Sequence, residues 1–234
     1  MTKTLIFATT LFFIGCGSTQ VTPPKCDNST PKVDMKNQFI NDANCDTIVD
    51  KEFFEICYSY DYKAAKSVAY RLDGDLVNET NIKERPLFYE EEALEPNKRA
   101  KYSDYTNSGY DRGHLAPDAA FDWSRESLKA TYSLANIIPQ VPEVNQDMWV
   151  KVEKYARDKA VELGAVNILN IVKYSSKPKH IGEDKIAVSK GFYKVLYNED
   201  ESYKECYYYE NKLNANSSSD TLSSHKVSCA TVSN

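Results

Sequence analysis

The sequence lacks several features that would point to particular kinds of protein. Its 234 residues contain no CxxC pair, which argues against a structural zinc site. After the first sixteen residues, no stretch is long and apolar enough to span a membrane. The formal net charge is −5, so the basic excess typical of nucleic-acid-binding domains is also missing. Because net charge governs solubility and steering rather than chemistry, its sign counts only mildly against a nucleic-acid substrate.

The composition is that of an ordinary soluble globular protein with one sizeable core. Hydrophobic residues make up 41% of the chain and charged residues 27%, and no internal repeat is visible. Residues 17–40 follow the N-terminal segment and contain a stretch rich in Ser, Thr, Pro and Lys, which predicts a tether. We expect a single domain over residues 41–234, with a loose Ser/Asn-rich segment towards its C-terminus.

The first sixteen residues have the pattern of a secretory signal peptide. Lys3 gives a positive start, and the apolar run Leu5–Ile14 is about half the length of a membrane-spanning helix. The stretch Phe13–Cys16 also resembles a bacterial lipobox, whose cysteine is acylated after cleavage. The sequence thus predicts export, either by simple secretion to the periplasm or the cell exterior, or as an outer-membrane lipoprotein anchored through Cys16.

Export changes how the six cysteines are interpreted, because disulfides are the default in an oxidising compartment. Cys206 and Cys229 flank the C-terminal segment and could close it. Two of Cys26, Cys45 and Cys57 could pair near the N-terminus, which leaves one over. Spacing alone does not decide the connectivity.

The order of secondary-structure signals predicts an α+β fold with a largely antiparallel central sheet flanked by helices. Strand signals rich in aromatic and β-branched residues come before and after two predicted helices. The predicted strands are 47–49, 53–60, 67–72, 166–174, 185–188, 192–197 and 206–209.

Two helices are predicted in the middle of the chain. Ser124 is the expected N-cap of a helix that runs to about Leu134. A second helix begins after Pro142 and runs to about Leu163, since its apolar residues recur at helical spacing. Gly164 can end this second helix.

The chain has only three histidines, and one of them has informative neighbours. His180 lies in a polar loop and His225 in the Ser-rich tail, so both are predicted to be solvated. On a strand, His114 and Arg112 would face the same side, and Gly113 between them allows a close approach. An imidazole beside a cation that can hold phosphate suits phosphodiester hydrolysis. Taken alone, His114 is better explained as a partly buried residue at a strand end.

Several motifs in the central part of the chain resemble, in order, those of the DNA/RNA non-specific endonucleases, a family of ββα-metal nucleases. Residues 111–114 are similar to the family's Asp-Arg-Gly-His signature. Residues 134–140 resemble its Ser-Asn-Ile-x-Pro-Gln run, although Ala135 replaces the frequent Ser. Residues 145–153 match its Asn-x-x-x-Trp-x-x-x-Glu helix. The resemblance spans roughly residues 57–210, which is most of the mature chain.

The resemblance implies a role for each matching residue. It makes His114 the general base, Asn145 the protein ligand of a metal ion, and Glu153 a residue that holds metal-bound water. Asn136 is grouped with the metal site as a residue that helps to order it. The expected cofactor is Mg²⁺, with Mn²⁺ as its substitute, held in a ββα-metal motif.

Three arginines match family positions near the phosphate. Arg112 is the signature arginine, and Arg157 lies one turn beyond Glu153. Arg85 resembles a phosphate-contacting arginine, on a looser surrounding match.

The implied activity is hydrolysis of DNA and RNA with little sequence preference. Attack by water needs no 2′-hydroxyl, and contacts to phosphate carry no sequence information. Neutral His114 would take a proton from water, so activity should fall as the pH drops through its pKa, about 6.5 if unperturbed. The alternative is a catalytically inactive nuclease-fold lipoprotein that binds nucleic acid or a protein partner. For the enzyme, no obligate protein partner is inferred.

Two further expectations concern residues outside the catalytic group. Trp149 is predicted to lie in the core rather than to stack on a base. The acidic run Glu90–Glu92 is predicted to be a solvated face.

Overall fold

The computed structural model of the chain describes residues 35–213 and 219–233. Within these ranges the α-helices are α1 (Met35–Phe39), α2 (Arg125–Thr131) and α3 (Trp149–Leu163). The strands are β1 (Thr47–Asp50), β2 (Phe54–Ser59), β3 (Ala64–Asp73), β4 (Asp111–His114), β5 (Ile137–Gln140), β6 (Ala165–Lys173), β7 (His180–Ile181), β8 (Ile186–Ala187), β9 (Gly191–Tyr197), β10 (Lys204–Glu210) and β11 (Lys226–Val227). None of the helices in these ranges is long and apolar enough to cross a membrane. The predicted signal peptide, with Cys16, lies outside the described residues.

Seven strands form one sheet in the order β1-β2-β3-β6-β9-β10-β11, and each neighbouring pair is antiparallel. The predicted α+β fold with a largely antiparallel sheet is therefore confirmed. The seven predicted strands correspond to β1, β2, β3, β6, β8, β9 and β10. They could be recognised because they are rich in aromatic and β-branched residues.

One face of the large sheet packs against α3. Trp149, Val152 and Ala156 recur at helical spacing and are buried with sheet residues such as Phe192 and Leu196. Trp149 is thus a core residue, as predicted. Because side chains alternate along a strand, every second residue of β9 points towards α3.

The opposite face of the sheet packs against α1. Met35, Phe39 and Ile40 are buried together with Cys45 and Cys57. These apolar side chains form part of a second hydrophobic core on this face of the sheet, so residues 35–40 belong to the fold. The predicted tether over 17–40 is wrong for that last part, and the rest of it lies outside the described residues.

Two disulfides occur in the part of the chain that the structure describes. Cys206 and Cys229 are joined with an S–S distance of 2.11 Å, which confirms the predicted closure of the C-terminal segment. Cys45 and Cys57 are joined at 2.02 Å, which settles a pairing that spacing left open. The third candidate, Cys26, lies outside the described residues.

The helix ends follow local sequence signals. Ser124 accepts a hydrogen bond from the Ser127 backbone N–H at 3.0 Å, so it is the N-cap of α2, as predicted. This helix stops at Thr131, earlier than predicted, because a 3₁₀ turn over Leu134–Asn136 leads into β5. Gly164 ends α3 with a φ of +81°, a conformation that favours glycine.

The second predicted helix begins with a π-helical turn over Val144–Met148, before α3. Asn145 lies in this wider turn, whereas Glu153 lies in regular α-helix. Because the π-helical turn is wider than an α-helical turn, a spacing of 3.6 residues per turn does not relate the directions of these two side chains. Such turns occur often at functional sites.

The C-terminal segment is packed where the structure describes it, so the expectation that it is loose is wrong there. Asn211 is buried and accepts a hydrogen bond from the Val141 backbone N–H at 2.8 Å.

His225 stacks on Tyr209 with ring centroids 3.8 Å apart. The prediction of a solvated side chain is therefore wrong for His225, whereas His180 is exposed, as predicted.

The acidic run over Glu90–Glu92 also differs from expectation at its middle residue. Glu91 is buried, and its carboxylate accepts hydrogen bonds from Lys51 Nζ and Ser133 Oγ, each at 2.7 Å. Although burial opposes ionisation, these two donors hold the pKa of Glu91 below its ordinary value. The prediction missed this because a buried ion pair leaves no signal in local composition.

Candidate active site

The strand that carries the Asp-Arg-Gly-His signature pairs with β5, and its glycine is required for that pairing. Gly113 lies opposite Ile138 in the antiparallel register. A Cβ atom at Gly113 would lie 1.9 Å from Oε1 of Gln140, which is far inside van der Waals contact. The buried Gln140 side chain therefore occupies the space of the missing side chain, and the predicted close approach is confirmed.

The His114 imidazole packs against two aromatic rings that also contact each other. Its centroid is 5.5 Å from that of Phe88 and 5.0 Å from that of Tyr132. Its Nε2 atom is buried and has no hydrogen-bond partner among the described residues. Burial lowers the pKa of His114 to about 4, while the Asp118 carboxylate opposes the shift and the Arg85 cation adds to it. The imidazole is therefore neutral at physiological pH, with one nitrogen free to accept a proton.

The segment that follows His114 is held by the buried side chain of Asn136. Its Nδ2 donates to the backbone oxygens of Ala116 and Thr131 at 2.9 Å each, and its Oδ1 accepts from the Ala116 N–H at 2.9 Å. These bonds engage both ends of the amide inside the protein. They fit the expected role of Asn136 in ordering the site, and its place in the metal group stays a prediction.

A carboxylate that the sequence analysis missed lies between the predicted residues. Asp118 Oδ2 is 3.1 Å from Arg85 Nε and accepts a hydrogen bond from Tyr132 Oη at 3.0 Å. It is also close enough to influence the pKa values of both His114 and Glu153. Asp118 thus connects the imidazole, one predicted arginine and the predicted carboxylate of α3.

Arg112 is held by aromatic contacts rather than by a carboxylate. Its guanidinium carbon lies 3.7 Å from the ring centroid of Tyr102, and Nη2 donates to the Tyr102 backbone oxygen at 3.0 Å. Arg112 and His114 both approach Phe88, at 5.8 and 5.5 Å, which agrees with the prediction that they share one side of β4. The Arg112 Nε atom is buried without a hydrogen-bond partner in the described ranges, so this cation retains donor capacity.

The predicted metal ligand is oriented by the first residue of the signature. Asn145 Nδ2 donates to Asp111 Oδ2 at 3.0 Å, and Gln146 Nε2 donates to the same oxygen at 2.7 Å. Because Asp111 takes the amide nitrogen, the amide oxygen of Asn145 faces the other way. The contact also ties the π-helical turn to β4.

Glu153 is a carboxylate in an unusual environment. Burial raises its pKa to about 7, whereas the cations of Lys194 and Arg157 oppose the rise and Asp118 adds to it. Arg157 is thus near Glu153, as one turn of α3 predicts. Lys194 was missed by the sequence analysis, although a charged residue in the apolar phase of β9, between Phe192 and Leu196, was an available signal.

The sheet, the β4-β5 pair and the helix that follows it match the class of metal-dependent nuclease that the motifs suggested. A profile of the DNA/RNA non-specific endonucleases matches residues 35–234, and the chain belongs to this family. The chain is 31% identical over 160 residues to human mitochondrial endonuclease G, covering 62% of this chain and 52% of that protein. It is 31% identical over 151 residues to a mitochondrial nuclease of Saccharomyces cerevisiae, covering 64% and 45%, respectively.

Other similarities agree with this assignment. A nuclease from Nostoc sp. is 25% identical over 162 residues, covering 65% of this chain and 58% of that protein. The chain therefore spans about half the length of these curated relatives. A crystal structure of the EndoG/EndoGI complex contains a chain with the same fold, at a TM-score of 0.69 and 24% identity. The match covers 77% of this chain and 80% of that one.

Proposed function

We propose that this protein hydrolyses phosphodiester bonds in both DNA and RNA, with little sequence preference, and that His114 is its general base. The observation that carries the proposal is the buried, unpartnered Nε2 of a neutral imidazole, two residues from Arg112. Membership of a non-specific endonuclease family supports the same chemistry.

The proton would pass from the attacking water to His114 Nε2. A base must be deprotonated before the reaction, and a pKa of about 4 keeps nearly all of His114 in that form at neutral pH. The half-buried guanidinium of Arg112 lies on the same side of β4 as His114, so we assign it to hold a non-bridging phosphate oxygen. Arg85 is already paired with Asp118 and Asp122, at 3.1 and 3.2 Å, so we place it beside the phosphate as a cation whose position is fixed.

The residues present suit a hard divalent cation such as Mg²⁺, with Mn²⁺ as an alternative. The oriented amide oxygen of Asn145 is one oxygen ligand, and Glu153 would hold water molecules around the ion. When bound, Mg²⁺ would polarise the scissile phosphate and stabilise negative charge on the leaving oxygen. Among the described residues, no group of three or more His, Cys, Asp or Glu side chains is placed to hold a metal ion.

The proposed substrate range follows from what the site would contact. Water as the nucleophile does not require a 2′-hydroxyl, so DNA and RNA are both substrates. Arginine contacts to phosphate fix the backbone without reading the bases, so cleavage is largely independent of sequence.

We also propose that the protein works outside the cytoplasm, in the periplasm, at the outer membrane or outside the cell. The two disulfides among the described residues suit an oxidising compartment. Mass spectrometry of the mature N-terminus distinguishes a lipidated Cys16 from simple cleavage. An unprocessed N-terminus in the native host would contradict the proposal.

The test of function is digestion of plasmid DNA and of RNA by the purified protein, with Mg²⁺ or with excess EDTA. We expect cleavage of both substrates with Mg²⁺, none with EDTA, and a loss of at least about 100-fold in His114→Ala. His180→Ala is the matched control, because this histidine is exposed and lies in β7.

Each other outcome has a definite meaning. No cleavage by folded wild-type protein would favour an inactive nuclease-fold protein that binds nucleic acid or a protein partner. Cleavage that survives His114→Ala would mean that another group is the base. Cleavage undiminished by EDTA would contradict the metal site.

A further inference from the structure

A lysine is buried in the middle of the large sheet, on the face turned towards α3. Lys194 is 0% exposed and occupies the same phase of β9 as the apolar residues Phe192 and Leu196. The register of β6 and β9 places it directly opposite Asn170, another fully buried polar residue. Burying an ammonium group is costly unless other groups compensate for the lost water, so its contacts are informative.

Hydrogen bonds connect Lys194 to the strand that carries His114. Lys194 Nζ donates to Tyr70 Oη at 3.1 Å, and Asn170 Nδ2 approaches the same oxygen at 3.4 Å. Asn170 Nδ2 also donates to the backbone oxygen of Leu115 at 2.6 Å. Leu115 directly follows His114, so the connection ends beside the proposed base.

The same ammonium group also lies against α3 from the side of the sheet. Lys194 Nζ lies 4.5 Å from the ring centroid of Trp149, one turn before Glu153. The opposite charges of Lys194 and Glu153 influence each other's ionisation. The titratable and charged groups that face Glu153 are Lys194, Arg157, Asp118, Tyr70 and Tyr209. Of the two cations among them, Lys194 is the one built into the sheet.

We propose that Lys194 is a positioning residue of the nuclease site, which holds the backbone beside His114 through Tyr70 and Asn170, and which places a positive charge beneath the turn of α3 that leads to Glu153. This inference rests on the proposed function, because it assigns Lys194 to the same reaction. One group in the rigid sheet thereby acts on two residues of separate elements, α3 and β4. Lys194 itself need not touch the substrate.

The test compares Lys194→Met, which keeps most of the length of the unbranched side chain but removes its charge, with the wild-type protein. We expect kcat to fall about 10- to 100-fold, as is usual when a supporting partner is lost, while KM changes less than about threefold. The acid limb of the pH profile should move to higher pH, because the cation that lowers the pKa of Glu153 is gone. Lys190→Met is the matched control, since that lysine is exposed at the start of the same strand.

A second measurement needs no activity and separates this inference from the proposed function. Infrared difference spectra of metal-free protein with labelled glutamate, with Glu153→Gln as the reference, report the ionisation of Glu153. We expect its pKa to be higher in Lys194→Met than in the wild type. If the wild type cleaves nothing, the proposed function fails, and this titration still decides whether Lys194 lowers the pKa of Glu153.

Unchanged kcat, pH profile and Glu153 titration in a folded Lys194→Met protein would overturn the inference. An equal loss of activity at every pH, with no change in the titration, would also overturn it. If Lys194→Met does not fold, Tyr70→Phe decides, because it keeps the charge and removes only the shared hydroxyl. A fall in kcat without a fall in thermal stability then supports the inference, and unchanged kcat overturns it.

Discussion

The ionisation of His114 depends on the packing around its ring more than on its neighbours in sequence. The neighbouring Phe88 and Tyr132 rings cover part of the imidazole, and burial is the main reason that the pKa falls to about 4. The pKa of His114 is therefore lower than the value of about 6.5 expected for an unperturbed histidine. The base form of His114 is present above about pH 4 and is lost as the pH falls through that value.

The lowered pKa of His114 can be tested by titrating its imidazole. We expect the imidazole to stay neutral from pH 8 down to about pH 5 in metal-free protein, because protonation would place a charge in a buried site. Two-dimensional NMR of the histidine side chains measures this, with the His114 signal assigned by its loss in His114→Ala. A titration midpoint near 6.5 would contradict the effect of burial.

A consequence of this pKa is that His114 does not set the acid limb of activity near neutral pH. Glu153, whose pKa burial raises to about 7, is ionised above that value and loses its charge as the pH falls through it. The acid limb of kcat/KM in the wild type should accordingly report Glu153. The pH profile of Lys194→Met tests the same acid limb.

At the scale of elements, the strands and helices were predictable to the extent that their residue patterns are strong. β3, β6 and β9 are rich in aromatic and β-branched residues and are buried on both faces of the sheet, whereas α3 carries apolar residues at helical spacing, so each could be recognised. β4 could not, because its four polar or small residues have no apolar pattern. The π-helical turn was also missed, because hydrophobic spacing does not distinguish it from the start of an α-helix.

The candidate site was predicted residue by residue only where a motif marked it. His114, Arg112 and Glu153 were found through family motifs, whereas Asp118 and Lys194 were not. Asp118 lies on a turn four residues after His114, and only the fold brings its carboxylate near α3. The motif also marked Asn136, and the fold shows which backbone groups it orders.

The pairing of β4 with β5 makes a prediction about Gly113. Gly113→Ala should destabilise the protein by about 1–3 kcal/mol and reduce activity, because a Cβ atom would overlap the Gln140 side chain. The three nearest atoms to that Cβ all belong to the Gln140 side chain, so Gln140→Ala should restore part of the lost stability in the double variant. Urea unfolding and plasmid digestion measure both effects. Strictly additive losses in the double variant would contradict the steric explanation.

At the scale of the whole molecule, the sheet separates the proposed site from the disulfides. Residues on the face towards α3 include Tyr70 and Lys194, whereas Cys57 and Cys206 belong to the core on the opposite face. The C-terminal segment crosses back to α3, where Asp220 accepts a hydrogen bond from Lys151 Nζ at 3.1 Å and contacts His225. The disulfides therefore stabilise the scaffold without contributing groups to the proposed chemistry.

This separation predicts that losing the Cys206–Cys229 disulfide weakens the fold more than the chemistry. In Cys206→Ala/Cys229→Ala, the unfolded chain regains the freedom of a closed loop, which costs about 3 kcal/mol of stability and about 10 °C in Tm. Below the lowered Tm, kcat and KM should stay close to those of the wild type, because no residue proposed to contact the phosphate, the metal ion or the attacking water lies in that loop. Thermal unfolding and digestion at 25 °C measure the two effects separately. A folded variant with strongly reduced kcat would instead place the C-terminal segment within the catalytic machinery.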